Sequence, residues 1–314
     1  MTATEVPYKV PEELNDPNGE IILRSSDQVE FRVFRWPLQR LYPVFFDMFN
    51  LPDSGAPSSP KTSAQPVVQM DETAPVVEAL LRLSYPIDPP IVEDLGTMVL
   101  ITEAIVKLQA ERGCRRWIRM TVENLVHVNP WAMYAILLAL GREGYNYNFE
   151  EEIQIAARAT VGWKILRPWK EASMITAADY DRLLIFHLEC KNAFLKALDK
   201  GLAKAKLGYP GNSHCSKVNL KVGKSYYQVA RWFVDFRAKA REKFCGELRG
   251  EAVEDVSLWY EPLERDRMAG VLCFQCAKNS TLRMPEYTKE LSKLMEEIIS
   301  QVSDLFWLSR RFVG

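Results

Sequence analysis

The stretch GEIILRSSDQVEFRVFRWPLQRLYPVFFDMF, at 19–49, passes from a two-residue hydrophobic period to a helical one, and it constrains the fold more than any other part of the chain. Residues 29–34 alternate apolar and polar side chains, which is typical of a strand with one buried face. Ser26 and Asp27 can turn the chain, because their side chains can bond nearby backbone N–H groups. Together with the apolar run at 20–25, this pattern predicts a β-hairpin.

Two short helices and a third strand are predicted after the hairpin. Pro37 and Pro43 each open an apolar stretch, and proline is tolerated in the first turn of a helix because its missing N–H would have no partner there. A loop rich in proline, serine and glycine is predicted at 51–66. A strand is predicted at 67–70 and a helix at 74–85. This order predicts a small sheet covered by helices.

The rest of the chain has a helical pattern. Further helices are predicted at 94–109, 114–126, 130–141, 149–162, 176–200, 225–245 and 287–312. We therefore predict an α+β fold, with a small N-terminal sheet followed by a mostly helical extension. The predicted divisions are a flexible segment at 1–17, a mixed domain at 18–126, a helical extension at 127–201 and a C-terminal helical region at 202–314.

The last predicted helix carries an apolar heptad row. Leu291, Ile298, Leu305 and Phe312 each lie seven residues after the one before, which indicates a packing seam. The seam can serve packing within the chain or self-association as a coiled coil, so the sequence leaves a homo-oligomer open.

Composition is that of an ordinary globular protein, with 47% apolar and 26% charged residues. No uncharged apolar run approaches the length of a membrane-spanning helix. The first 17 residues lack a basic region followed by an apolar one, so we expect an intracellular protein, nuclear or cytoplasmic, without a membrane partner. In that compartment the six cysteines are expected to be free or metal-bound rather than paired in disulfides.

The hairpin and the elements after it resemble a BTB/POZ domain of the large fungal-type set. The matching residues are Leu23, Ser25, Asp27, Phe31, Val33, Leu38, Phe46, Met48, Phe49, Leu80, Leu81, Tyr85 and Pro86. The resemblance extends over roughly residues 18–200. It implies a protein–protein interaction module, an adaptor or a scaffold. Many such proteins link partners to cullin-type ubiquitin ligases or associate with themselves.

The resemblance also suggests interaction residues. Glu20 and Arg35 keep the signs of an acidic and a basic position that lie together near a pocket in dimeric BTB domains, so they could form an ion pair. Phe45 and Met48 on the second short helix are expected to be exposed contact residues. The acidic and apolar turn at 88–95 is a third candidate contact.

The chain lacks the sequence motifs of the common enzyme classes. It contains no nucleophile elbow, P-loop, dinucleotide-binding glycine motif or HExxH motif. His187 falls on an apolar helical stripe, which favours a packed histidine over a catalytic base. We therefore expect a protein that is not an enzyme.

One group of residues has the chemistry of a metal site. Cys273 and Cys276 have the two-residue gap that lets both thiolates reach one ion, and His214 and Cys215 could complete a tetrahedral zinc site. Three interpretations stay open: a structural zinc, free thiols, and a redox pair. A redox CxxC normally opens a helix after a strand.

Charge suggests a second class of function. Residues 1–100 hold 7 Lys/Arg against 15 Asp/Glu, whereas residues 204–249 hold 11 Lys/Arg against 3 Asp/Glu. The basic segment also carries Tyr226, Trp232 and Phe233, and aromatic rings among cations can bind nucleic acid. The alternative function is thus a metal-stabilised regulatory protein that binds nucleic acid. The rings keep a helical spacing, which favours a core and makes nucleic acid the less expected partner.

Overall fold

The computed structural model describes residues 8–51, 65–143, 149–163, 170–204, 215, 217–222, 225–246, 248 and 250–309. The chain divides into two compact units, 1–156 and 157–314. The described residues combine α and β structure, with mostly helices and two small sheets. In the described part, no helix is both long and apolar enough to cross a membrane.

The first unit begins with the predicted hairpin and short helices. Its elements are β1 (Ile21–Arg24), β2 (Glu30–Val33), α1 (Arg35–Leu41), α2 (Pro43–Asn50), β3 (Val67–Gln69), α3 (Ala74–Ser84), α4 (Leu95–Lys107), α5 (Glu111–Leu125), α6 (Pro130–Glu143) and the start of α7 (Glu150–Thr160). The predicted elements of this unit are confirmed, with boundaries shifted by a few residues. The unit boundary falls within α7, inside the predicted helical extension.

β1 is the central strand of a three-stranded sheet. It pairs antiparallel with β2, with Leu23 opposite Phe31, and parallel with β3, with Leu23 opposite Val68. Alternate residues of the hairpin face the core, because side chains of a strand point to opposite faces in turn. Leu23, Phe31 and Val33 are accordingly buried.

Two hydrogen bonds tie the hairpin to α3. Asp27 Oδ1 accepts a hydrogen bond from the backbone N–H of Ala74, at the first turn of α3 (2.9 Å). The Tyr85 hydroxyl accepts one from the backbone N–H of Phe34, directly after β2 (2.8 Å). Hydrogen bonding, first from the Ser25 hydroxyl, lowers the pKa of Asp27, so the carboxylate form that caps α3 is favoured.

Residues 8–17, for which the sequence predicted a flexible segment, pack against β2. Leu14 is fully buried, and the backbone N–H of Asp16 donates to the carbonyl of Arg32 (3.0 Å). Most of the predicted loop at 51–66 lies outside the described residues.

The aromatic residues of α2 face the opposite way from the prediction. Phe45, expected to be an exposed contact, is 3% exposed, and its ring lies 5.9 Å from Tyr42 and 5.7 Å from Phe49 between centroids. Its neighbour Phe46 is 53% exposed. Adjacent helical residues point about 100° apart, and the core lies on the Phe45 side. Met48 is half-buried.

The second unit contains the end of α7 and a helical bundle with one hairpin. Its elements are α8 (Ala177–Lys204), β4 (Lys217–Val222), β5 (Ser225–Ala230), α9 (Arg231–Gly246), α10 (Ser257–Met268) and α11 (Phe274–Ser309). α11 contacts α8, α10 and a short 3-10 turn at Gly250–Val253. The core of this unit includes Phe194, Trp232, Phe236, Leu263 and Met295.

The predicted helix at 225–245 is wrong in its first turns. Residues 225–230 form β5, which pairs antiparallel with β4, and α9 starts only at Arg231. Tyr226 and Val229 therefore belong to a strand. On that strand Val229 is buried and Tyr226 is exposed, because side chains three apart in a strand face opposite ways.

The buried stripe of α11 does not follow the predicted heptad row. Leu291 and Ile298 are buried, but Leu305 is exposed, and Phe312 lies outside the described residues. One row of core-facing residues runs through Met284, Tyr287, Leu291, Met295, Ile298, Val302 and Phe306. Their steps of three, four and four residues average close to the 3.6 residues of a straight helix, whereas a heptad row drifts by about 20° per repeat.

Candidate functional site

Three cysteines of the second unit form one cluster. The Sγ atoms of Cys215, Cys273 and Cys276 all lie within 4.8 Å of one another. Cys276 is buried, Cys215 is half-buried and Cys273 is exposed. The structure thus brings together three of the four predicted metal ligands, and His214 lies outside the described residues.

The end of α10 positions the two cysteines of the CxxC motif. Gly270 has a φ of +71°, which glycine adopts without steric cost, and it ends the helix in a Schellman motif. In that motif the N–H of Val271 donates to the carbonyl of Asp266 (2.9 Å). Because the turn is so short, α11 begins almost at once, and the carbonyl of Cys273 accepts from the N–H of Ala277 in its first turn (3.0 Å).

Cys273, at the start of α11, is surrounded by groups that stabilise its thiolate. The pKa of the Cys273 thiol is lowered, chiefly by a hydrogen bond from the backbone N–H of Cys276 and further by the thiols of Cys276 and Cys215. The positive end of the α11 macrodipole favours the same anion. Of the two CxxC thiols, Cys273 is therefore the one that ionises more readily.

The other two cysteines of the cluster, Cys276 and Cys215, lie next to Cys273. Burial raises the pKa of the Cys276 thiol to about 12, and hydrogen bonds to Cys273 and Cys215 add to this rise. The backbone N–H of Cys273 donates to Cys215 Sγ (3.2 Å). Burial thus opposes ionisation of Cys276, and a bound cation would offset that cost.

Two further cysteines are chemically quiet. Cys114 in the first unit and Cys190 in the second are buried, and burial raises the pKa of each thiol to about 12. Such thiols resist ionisation and behave as small apolar side chains.

His187 is a packed histidine, as the sequence predicted. It is buried in the second unit, and its Nε2 lies 2.8 Å from Thr160 Oγ1. The Thr160 hydroxyl donates to the carbonyl of Ala157 (2.6 Å), so the hydrogen between His187 and Thr160 comes from Nε2. Burial lowers the pKa of His187 to about 4.

This pKa leads to a prediction about acid stability. Above about pH 6.5 the His187 imidazole is neutral in both the folded and the unfolded protein. Below that pH the imidazole binds a proton in the unfolded chain, whereas in the folded protein it stays neutral down to about pH 4. Stability is therefore lost as pH falls through this window. We expect wild type to lose about 2 kcal/mol more than His187→Gln between about pH 7.5 and about pH 5. Urea unfolding at several pH values measures the difference, and parallel pH profiles would contradict it.

The predicted pair of Glu20 and Arg35 makes a different contact from the one expected. Glu20 Oε2 accepts a hydrogen bond from the backbone N–H of Arg35 (2.9 Å), at the start of α1. The Arg35 guanidinium lies over the ring of Phe49, 5.3 Å from its centroid. Glu20 thus caps α1, and Arg35 covers an aromatic ring of α2.

The turn at 88–95 has an exposed apolar residue among carboxylates. Ile91 is 89% exposed, and the neighbouring Asp88 and Glu93 are exposed too. Both ends of the segment are fastened. Trp117 Nε1 donates to the carbonyl of Pro90 (2.9 Å), and Asp94 Oδ1 caps α4 by accepting from the N–H of Thr97 (2.9 Å).

The aromatic residues of the basic segment are divided between core and surface. Trp232 and Phe233 are buried, so their faces are closed to a base. Tyr226 is 67% exposed, and Lys221 Nζ lies 5.8 Å from its ring centroid. Much of this segment, including residues 205–214, lies outside the described residues.

Comparison of the chain with protein-family models, with curated proteins and with solved structures found no match.

Proposed function

We propose that the protein is a non-enzymatic protein–protein interaction module, an adaptor or scaffold, whose first unit is a BTB/POZ-like domain. The proposal is supported by the residues that carry the resemblance. Leu23, Phe31 and Val33 form the inward face of the hairpin, and Asp27 and Tyr85 fasten the hairpin to α3. These residues maintain the architecture, so function must come from what the unit exposes.

Ile91 is the observation that carries the proposal. A single exposed aliphatic residue is common on protein surfaces. This one stands 89% exposed between two hydrogen-bonded anchors, at Pro90 and Asp94. Because the segment is already held in place, a partner that buries the side chain pays less conformational entropy on binding.

The charge around Ile91 indicates the chemistry of the partner. Asp88, Glu93 and Asp94 surround it in the sequence and are exposed, and residues 1–100 carry a net charge of −8 from 7 Lys/Arg and 15 Asp/Glu. The complementary partner is a protein with an apolar pocket rimmed by lysine or arginine. A cullin-type ubiquitin ligase scaffold is the candidate that the resemblance implies.

Substitution of Ile91 by aspartate tests this function. We expect the variant to lose about tenfold or more in affinity for proteins that the whole wild-type chain retains from a native extract, because central anchors contribute about 2 kcal/mol or more. Binding by wild type should also weaken as salt rises. Quantitative mass spectrometry of the retained proteins, searched for a cullin-type scaffold, measures both effects.

Val128→Asp is the matched control, since Val128 is also an exposed aliphatic residue of the first unit. It should retain the same proteins as wild type. Equal recovery of every protein by wild type and Ile91→Asp would contradict the proposal. Light scattering on both proteins shows whether the partner is a second copy, in which case only Ile91→Asp would be monomeric.

A further inference from the structure

We propose that Cys215, Cys273 and Cys276 bind one zinc ion as thiolates, and that the ion fastens the segment before β4 to the N-terminus of α11. The site belongs to the second unit. It therefore goes beyond the interaction function proposed for the first unit, and either proposal can fail without the other.

The spacing of the sulfur atoms fits a shared ion. Zinc–thiolate bonds of about 2.3 Å in a tetrahedron place two sulfurs about 3.8 Å apart. The three Sγ atoms already lie within 4.8 Å of one another without an ion. Rotation of Cys273 about its χ1 angle can close the remaining gap, because this side chain is exposed.

The donor set selects the kind of metal. The cluster formed by the described residues contains sulfur donors only. Thiolates favour soft or borderline ions such as zinc, whereas calcium and magnesium require oxygen ligands. Tetrahedral zinc takes four ligands, so the three thiolates leave one position for another donor.

A backbone group is placed to stabilise one of the thiolates. The N–H of Cys273 donates to Cys215 Sγ (3.2 Å). Such bonds to ligand sulfurs orient metal ligands and offset their charge. On binding, the protons of the remaining thiols pass to solvent, so zinc affinity should fall as pH falls.

The third sulfur distinguishes this cluster from a redox pair. A disulfide exchange pair requires two thiols, and here CxxC at a helix start would supply them. Cys215 comes from a segment 58 residues earlier, and its sulfur nevertheless accepts a hydrogen bond from the CxxC backbone. A metal uses all three sulfurs at once, and it closes a long loop that no other covalent link holds in the described chain.

Metal analysis of the full chain tests the assignment. Protein purified under reducing conditions should contain about one zinc per chain. Metal-free protein titrated with cobalt(II) should develop the sulfur-to-cobalt absorption and the intense visible bands of tetrahedral thiolate coordination. Zinc should displace the cobalt. Because this titration uses wild type, misfolding of a variant cannot explain a negative result, and absence of zinc and cobalt binding would overturn the proposal.

Single substitutions identify the ligands. Cys215→Ser, Cys273→Ser and Cys276→Ser should each lower zinc affinity at least tenfold and weaken the cobalt–sulfur absorption. Cys190→Ala, which removes a buried thiol of the same unit, should keep one zinc. Equal loss in Cys190→Ala would overturn the assignment, as would unchanged zinc in Cys215→Ser. A Cys273–Cys276 disulfide that forms in protein whose reduced form takes up no metal would identify a redox pair instead.

Discussion

Phe45→Ala is expected to lower the free energy of unfolding by about 3–5 kcal/mol, because it removes a buried ring and leaves a cavity. The ring packs between Tyr42 and Phe49 and is 3% exposed. Phe46→Ala is expected to change the same quantity by less than about 1 kcal/mol, since surface substitutions have small effects. Urea denaturation followed by circular dichroism measures both.

The two variants form a matched pair, because they delete the same ring from neighbouring positions of α2. A larger loss for Phe46→Ala than for Phe45→Ala would mean that α2 is rotated relative to the structure described. Equal, large losses would place both rings in the core.

Phe236→Ala is expected to lower the free energy of unfolding by about 3–5 kcal/mol as well. Phe236 is fully buried, and its ring centroid lies 5.8 Å from that of Phe233 and 6.2 Å from that of Tyr287. It therefore links α9 to α11. Tyr226→Ala, from the exposed face of β5, should cost less than about 1 kcal/mol.

Differential scanning calorimetry of both variants measures whether Tyr226 lies on an exposed face or in the core. The sequence placed Tyr226 and Phe236 on one helical stripe, and in that case both substitutions would cost several kcal/mol. Retention of wild-type stability by Phe236→Ala would contradict the core of the second unit.

The first unit was predictable because its local signals agree with its packing. The alternation at 29–34 corresponds to β2, and the prolines Pro37 and Pro43 lie in the first turns of α1 and α2. What the sequence left undetermined is which neighbour faces inward on a short apolar helix. Phe45 and Phe46 have equal hydrophobicity, so only the position of the core decides between them.

The hairpin of the second unit was not predicted because its residues fit both the two-residue period of a strand and the 3.6-residue period of a helix. Residues 217–222 alternate polar and apolar side chains and could have indicated a strand. The aromatic residues from Tyr226 onward also fit a helical spacing. Because a helix does begin at Arg231, this spacing led to a predicted helix that started too early, at 225. The last helix was also predicted too short at its start: 287 was predicted, whereas α11 begins at Phe274 and continues through Pro285.

The candidate site was partly predictable. The CxxC spacing of Cys273 and Cys276 is visible in the sequence, and Cys215 was proposed with them. The proximity of Cys215 to these two cysteines is visible only in the tertiary structure, because the number of residues between two positions does not fix the distance between them in the fold. The exposure of Ile91 likewise depends on the anchors of its segment, which lie at Trp117 and at the start of α4.

The three-four-four spacing of the core residues of α11 limits which insertions and deletions of residues this helix can tolerate. Deleting one residue between Met284 and Phe306 would turn the following part of the helix by about 100° and bring polar side chains into the core. Adding seven or eleven residues would change the azimuth by only about 20°, in opposite directions. Viable insertions and deletions inside this helix should therefore come in blocks of about seven or eleven residues, with changes of a single residue confined to its ends.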